Sequence, residues 1–265
     1  MNPLKASVYR EVFMNLVSHQ NTNPRQAIER YLENKLSGTE LLRSIASYSR
    51  WVVPARFSGG QPVFLEVGAN GSRHFYMFSD TQAFEQTLGT LGSNVIGEHF
   101  IQLTGDAVLL SFDDSVDDLN INPNSEHPIY YKRHQFSLLR RWARVIRVER
   151  ALDTVLSTNG GYDVIRDFDG YQIVMRSDQL GHNLMLAPDT RGRKLAAIFT
   201  AEDTLEAYLN EMRCDGWRDL EPLMMRGAEL FDLLPKTPID GLVFNCCGPV
   251  VAKAFTLAFV QRFHH

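Results

Sequence analysis

Four groups of residues in this 265-residue sequence have the types and spacing that chemistry uses. Cys246 and Cys247 are adjacent and precede Gly248-Pro249, an arrangement that can make a reactive thiol, a soft-metal ligand pair or a redox switch. As structure, the same pair is two small buried residues that finish a strand. Asp113, Asp114, Asp117 and Asp118 are close enough for paired-carboxylate hydrolysis, but no base or metal partner lies near them in sequence, and acidic runs on loops are usually solvated. Glu98-His99 and Glu126-His127 are acid–imidazole neighbours, and adjacent side chains point apart on a strand. Arg133, Arg140, Arg144 and Arg147 recur at helical spacing, a stripe that binds phosphate when open and pairs with nearby carboxylates when not.

Motifs with a fixed mechanism are missing: no His-Glu-x-x-His, no Cys-x-x-Cys, no Gly-rich phosphate loop and no Gly-x-Ser-x-Gly elbow. The histidines show no pair at metal-ligand spacing. The sequence therefore implies no catalytic residue, no metal site and no cofactor. A formal net charge of −4 argues against general nucleic-acid binding. Three cysteines, two of them adjacent, fit a reducing compartment. There is no long apolar leader and no stretch of about 18 uncharged apolar residues, so the expectation is a cytoplasmic protein without a membrane span.

The elements that carry these residues are written twice. Gly71-Ser-Arg-His-Phe-Tyr-Met-Phe-Ser-Asp80 and the following Thr81 to Leu88 return as Gly192 to Asp203 and Thr204 to Leu209, with Phe78 and Phe199 standing 121 positions apart. Each copy reads as an apolar strand, a Ser or Thr, acidic residues, then a helix with apolar spacing. Trp51 to Pro54 lies over Gln172 to Met175 without a gap, and Pro62 to Val67 over Asn183 to Pro188. Further on, Gly105 to Phe112 matches Gly227 to Leu234, and Val116 to Pro123 matches Ile239 to Cys246, both pairs read as apolar strands. A period of this length is a whole domain. The fold class expected is α+β, two homologous mixed α/β domains with mainly antiparallel sheets, an N-terminal helical segment and a long connecting helix. The boundaries are 1–44 for the helical segment, 45–131 and 159–265 for the domains, and 132–158 for the connector. Strands are expected at 51–57, 62–68 and 73–78, a break at Pro222, and a buried closing helix ending near Phe263.

Charge separates the copies. From His74 to Tyr131 there is no Lys or Arg and there are nine acids. The run Asp113 to Asp118 falls where the second copy has Pro235-Lys-Thr-Pro238.

A strand ending Met77-Phe-Ser-Asp80 or Ile198-Phe-Thr-Ala-Glu-Asp203, followed about 44 residues later by Leu119-Asn-Ile-Asn-Pro123, resembles the SseB-type domain of bacterial proteins. The second copy departs from it by inserting Cys246-Cys-Gly248 before Pro249. The resemblance covers most of 45–131 and 165–260. It implies small mixed α/β modules without an established active site, some associated with secretion and toxin–immunity systems, and hence binding rather than turnover. The function expected is a non-catalytic immunity protein neutralising a basic cognate toxin through an acidic surface of Asp113, Asp114, Asp117, Asp118, Glu98 and Asp106. The alternatives are a chaperone or adaptor of a secretion system, or a thiol-dependent enzyme using Cys246 and Cys247.

Overall fold

A computed structural model of the chain describes residues 23–58, 61–64, 66–69, 71–97, 99–158, 160–178, 181–187, 189 and 191–264. Two compact units divide these residues, Gln20–Ile146 and Arg147–His265. The helices expected before residue 23 lie outside the described residues.

In the first unit, Asn23 caps α1 (Pro24–Leu32) by accepting from the Arg25 amide at 3.0 Å, with Pro24 at the first helical position. Ser37 and Glu40 form a capping box on α2 (Gly38–Ser47), which buries Leu41, Leu42, Ile45 and Ala46. The strands β1 (Trp51–Ser58), β2 (Gln61–Phe64), β3 (Glu66–Ala69) and β4 (Ser72–Met77) follow. Then come α3 (Thr81–Leu91), α4 (Ser93–Ile96), β5 (Phe100–Leu103), α5 (Gly105–Ser111), β6 (Asp118–Ile121), β7 (Ile129–Lys132) and the long helix α6 (Phe136–Thr158).

The second unit continues from within α6 through α7 (Tyr162–Arg166), β8 (Tyr171–Asp178), β9 (Gly181–Leu184), β10 (Leu186–Ala187) and β11 (Leu195–Phe199). It closes with α8 (Glu202–Cys214), β12 (Leu220–Met225), α9 (Gly227–Leu233), β13 (Gly241–Phe244), β14 (Lys253–Thr256) and α10 (Leu257–Val260).

The two units share one strand plan. In the first, β1 pairs antiparallel with β5 and reaches β4 through the bridge Val52↔Phe78, β4 runs parallel to β6, and β6 pairs antiparallel with β7. In the second, β12–β8–β11–β13–β14 repeats that order with the same directions. The fold is α+β, with mixed sheets that are antiparallel except at the central pair. One face of the first sheet packs Val52 and Phe78 under Phe84 of α3. One face of the second packs Val174, Ala197, Phe199 and Val243 under Leu205, Tyr208, Leu209 and Met212 of α8. On the opposite faces, Phe75 meets Phe112 and Phe112 meets Phe136, while Tyr171 meets Phe168, Phe231 and Phe244.

Matching hydrogen bonds recur between the units. Trp51 Nε1 donates to the Ile45 carbonyl at 2.9 Å, and Tyr171 Oη donates to the Ile165 carbonyl at 2.8 Å. The Gly105 amide donates to Tyr48 O, and the Gly227 amide to Phe168 O, each at 2.7 Å. A Cβ on Gly105 would stand 2.1 Å from Ile45 O, and one on Gly227 2.3 Å from Arg166 O, so only glycine lets either helix sit this close.

These matches move the ungapped sequence alignment by one place. Trp51 corresponds to Tyr171, and Val52, not Trp51, to Gln172, because Val52 bridges Phe78 as Gln172 pairs Phe199. The offset is 120 through β1 to β3 and 121 from β4, so the extra residue lies in the turn before β11, where it does not flip a face. Three sequence expectations are corrected. Residues Gly105 to Ser111 and Gly227 to Leu233 are helices, since Ala, Leu and an acid in the first turn suit helix better than an edge strand. Pro222 lies inside β12, a sheet-edge strand where its missing N–H is tolerated. The closing segment begins as strand β14 before its short helices.

Candidate functional site

The parallel pair at the centre of each sheet sets out a comparison position by position. In the first unit His74, Asp118 and Lys132 form one cross-strand row, and Tyr76, Asn120 and Tyr130 the next. Cross-strand partners share a face and the side-chain period is two, so all six stand on one face. The corresponding rows of the second unit are Leu195, Gly241 and Thr256, then Ala197, Val243 and Ala254. One backbone plan thus carries a hydrogen-bonding block in the first unit and an almost wholly apolar one in the second.

Asp118 is the pivot of that block. Its Oδ2 lies 3.2 Å from His74 Nδ1 and its Oδ1 2.8 Å from Lys132 Nζ. Burial, followed by the nearby Tyr130 and Asp118, pushes the Tyr76 phenol above its ordinary pKa. Tyr130 is 51% exposed and its hydroxyl donates to the Pro123 carbonyl at 3.2 Å. The block joins aromatic rings, an imidazole, a carboxylate and an ammonium at a partly open surface.

The acidic run leads directly into this block. Asp113 accepts from the Ser115 amide at 2.7 Å and from its hydroxyl, which also accepts from Arg73. Asp114 pairs with Arg140 at 2.6 Å and Asp117 with Arg133 at 2.6 Å. Asp117 also accepts from the Arg73 amide at 2.9 Å, and Arg133 and Arg140 hold the loop's own carbonyls at Val116 and Phe112. Hydrogen bonds from Ser115 hold the Asp113 carboxyl below its ordinary pKa, and the Arg73 amide, then Arg133 and His74, do the same for Asp117.

The run expected as an acidic surface is thus a loop in which Asp114 and Asp117 are ion-paired with arginines. Arg133 and Arg140 are the counter-ions, the pairing that the sequence offered as the alternative to an open basic stripe. Asp114 stays 81% exposed on its side chain. Asp106 is only 8% exposed on the first turn of α5 and leaves the list of surface residues. Glu98 lies outside the described residues. His74, Tyr76, Asn120, Tyr130 and Lys132 were not singled out from sequence. Their signal was the alternation within β4, β6 and β7, readable once each copy is set against the other.

At the carboxyl ends of the parallel pairs, both units use the same asparagine device. Asn122 and Asn245 take left-handed backbone, φ 49° and 51°, immediately after β6 and β13. Their amides donate back to Met77 O at 3.1 Å and Ile198 O at 2.8 Å. Their Oδ1 atoms accept from the Ser79 and Thr200 amides at 2.9 and 3.0 Å. Asparagine tolerates this conformation and supplies the acceptor, which accounts for the recurrent Asn at the strand end.

Cys247 is not a poised nucleophile. The Cys247 thiol donates to Glu211 Oε2 at 2.9 Å. Its hydrogen bond with Cys246, its burial and the Glu211 carboxylate push its pKa far up, which keeps it protonated. Among the described residues no group of three or more His, Cys, Asp and Glu side chains is placed to hold a metal ion. No helix among them is long and apolar enough to cross a membrane. Compared with protein-family models, curated proteins and solved structures, the chain matches none.

Proposed function

We propose that the chain is a non-catalytic protein-binding module whose first unit carries the recognition surface. The observation that carries this reading is the six-position contrast between the polar block of β4, β6 and β7 and its apolar counterpart. Tyrosine is among the residue types enriched in protein interfaces and in their hot spots, and Tyr130 stands half exposed in one row with Tyr76 on this face. The neighbouring loop, cross-linked by Arg73, Arg133 and Arg140, is already ordered, so less conformational entropy is lost on association. Asp113 and Asp114 at its tip suit a basic partner, and complementary charge speeds encounter.

With the resemblance to SseB-type domains, the specific form of this reading is an immunity protein that occludes a cognate basic toxin. The thiol-enzyme alternative is disfavoured by the Cys247–Glu211 hydrogen bond. The test is affinity capture of the tagged chain from its own cells beside a Tyr130→Ala variant. A stoichiometric basic protein kept by the parent and lost by the variant supports the reading, and equal retention by both sinks the assignment of the surface.

A further inference from the structure

A cavity of about 190 Å³ opens in the first unit at the carboxyl ends of β4 and β6. Its walls carry charges of both signs, with Arg25 from α1, Asp80 at the start of α3 and Glu126 from the loop after β6. The side-chain amides of Gln82 and Gln86 complete the polar lining. Concave sites of this kind, with a few convergent polar groups, are where small ligands bind.

The lining is built. Asp80 is fixed by accepting from the Ala83 amide and the Ser79 hydroxyl, each at 2.8 Å. Ser79 is tied to Asn122 by bonds of 2.9 and 3.1 Å, so the cavity's inner wall is rigid. Because Asp80 already occupies the start of α3, the helix end offers no vacant anion site. The site's preference must come from its side chains. Arg25 makes its ion pair with Glu29 through Nε at 3.3 Å on an exposed surface, a contact worth little.

The second unit closes the same place with its own atoms. Gly248 lies so near α8 that a Cβ there would be 3.0 Å from Thr204 Cα. Thr200, the counterpart of Ser79, donates to the buried Glu149 carboxylate at 2.8 Å. The loop after the strand packs down in one unit and stands off in the other.

We propose that this cavity binds a small zwitterion of the size of a free amino acid, independently of the protein partner. Arg25 takes the carboxylate, Glu126 and Asp80 take the ammonium, and the glutamine amides read the side chain. A purely anionic ligand would meet two carboxylates, and a purely cationic one would meet the guanidinium.

The test titrates the full chain with each of the twenty free L-amino acids and with their N-acetyl amides, in which both main-chain charges are absent. Ligand-observed NMR or calorimetry gives the affinity. The expected result is saturable binding of at least one free amino acid, absent for its N-acetyl amide. Affinity should fall tenfold or more in Arg25→Ala and in Glu126→Gln, both exposed positions that leave the fold intact. Ala83→Met, which fills the cavity and keeps every charge, should also abolish binding. Three outcomes overturn the proposal: no free amino acid binds, the blocked forms bind equally well, or affinity survives these substitutions.

Discussion

Replacing Asn245 by Ala should destabilise the second unit by about 3 kcal/mol, and the figure follows from its surroundings. Asn245 is 2% exposed and its Oδ1 is 3.0 Å from the Thr200 amide. Removing that acceptor leaves a buried N–H unsatisfied, at a cost of about 1–3 kcal/mol. The Nδ2 contact to Thr200 Oγ1 at 2.9 Å is lost as well, worth about 1 kcal/mol. Alanine at φ 51° adds strain of up to about 1–2 kcal/mol that asparagine largely avoids.

Native-state hydrogen exchange with mass spectrometry is the assay, because it localises the loss. Protection of the β11 and β13 amides should drop by about a hundredfold, the equivalent of about 3 kcal/mol. Asn245→Gly relieves the strain but restores no hydrogen bond, so it should recover only part of the loss. A fall of less than threefold in Asn245→Ala would refute the reasoning, since the lock would then be ornamental. The matching Asn122→Ala change should act likewise on β4 and β6, where Asn122 accepts from the Ser79 amide at 2.9 Å.

Gly227→Ala should destabilise the second unit by about 1–3 kcal/mol and lower its melting temperature, because its Cβ would overlap backbone oxygens of Ile165 and Arg166; an unchanged melting temperature contradicts the packing. A maleimide probe at neutral pH should label exposed Cys214 well before Cys247, whose raised pKa keeps it a thiol. The sign for Cys247 places its stabilising contribution below the ordinary thiol pKa of about 8.5, and that contribution is lost as pH rises above it. Asp189, held down to about 2 by hydrogen bonds from Arg193, stabilises above the ordinary carboxylate pKa and ceases to as pH falls toward 2. NMR titration of its carboxyl reads that directly. Asp114→Asn should change stability by no more than about 1 kcal/mol in urea unfolding, because its ion pair with Arg140 is solvent-exposed at the carboxylate.

Elements defined by local chemistry were legible in the sequence. The cap at Asn23, the helix through the connector and the repeated strand–helix unit follow from short-range signals, and the structure has each of them. Elements defined by partners were not. Gly105 to Ser111 is apolar enough for either helix or strand, and only its docking on the Ile45 and Tyr48 carbonyls explains Gly105. The acids at 113–118 and the arginines that follow them were both visible, and so was pairing between them, but which arginine meets which acid was not, because those partners are set by the packing of the loop on the helix. The polar block hid for a similar reason: its rows join residues from three strands, and no window of sequence contains one.

The most direct test of the binding surface is the rate and affinity with which a captured, purified basic partner associates with the chain. The account predicts at least tenfold weaker binding for Tyr130→Ala. It also predicts slower association for the Asp113→Asn, Asp114→Asn double variant, with a shallower dependence on salt. Association that is unchanged in rate, affinity and salt dependence by these substitutions would contradict it.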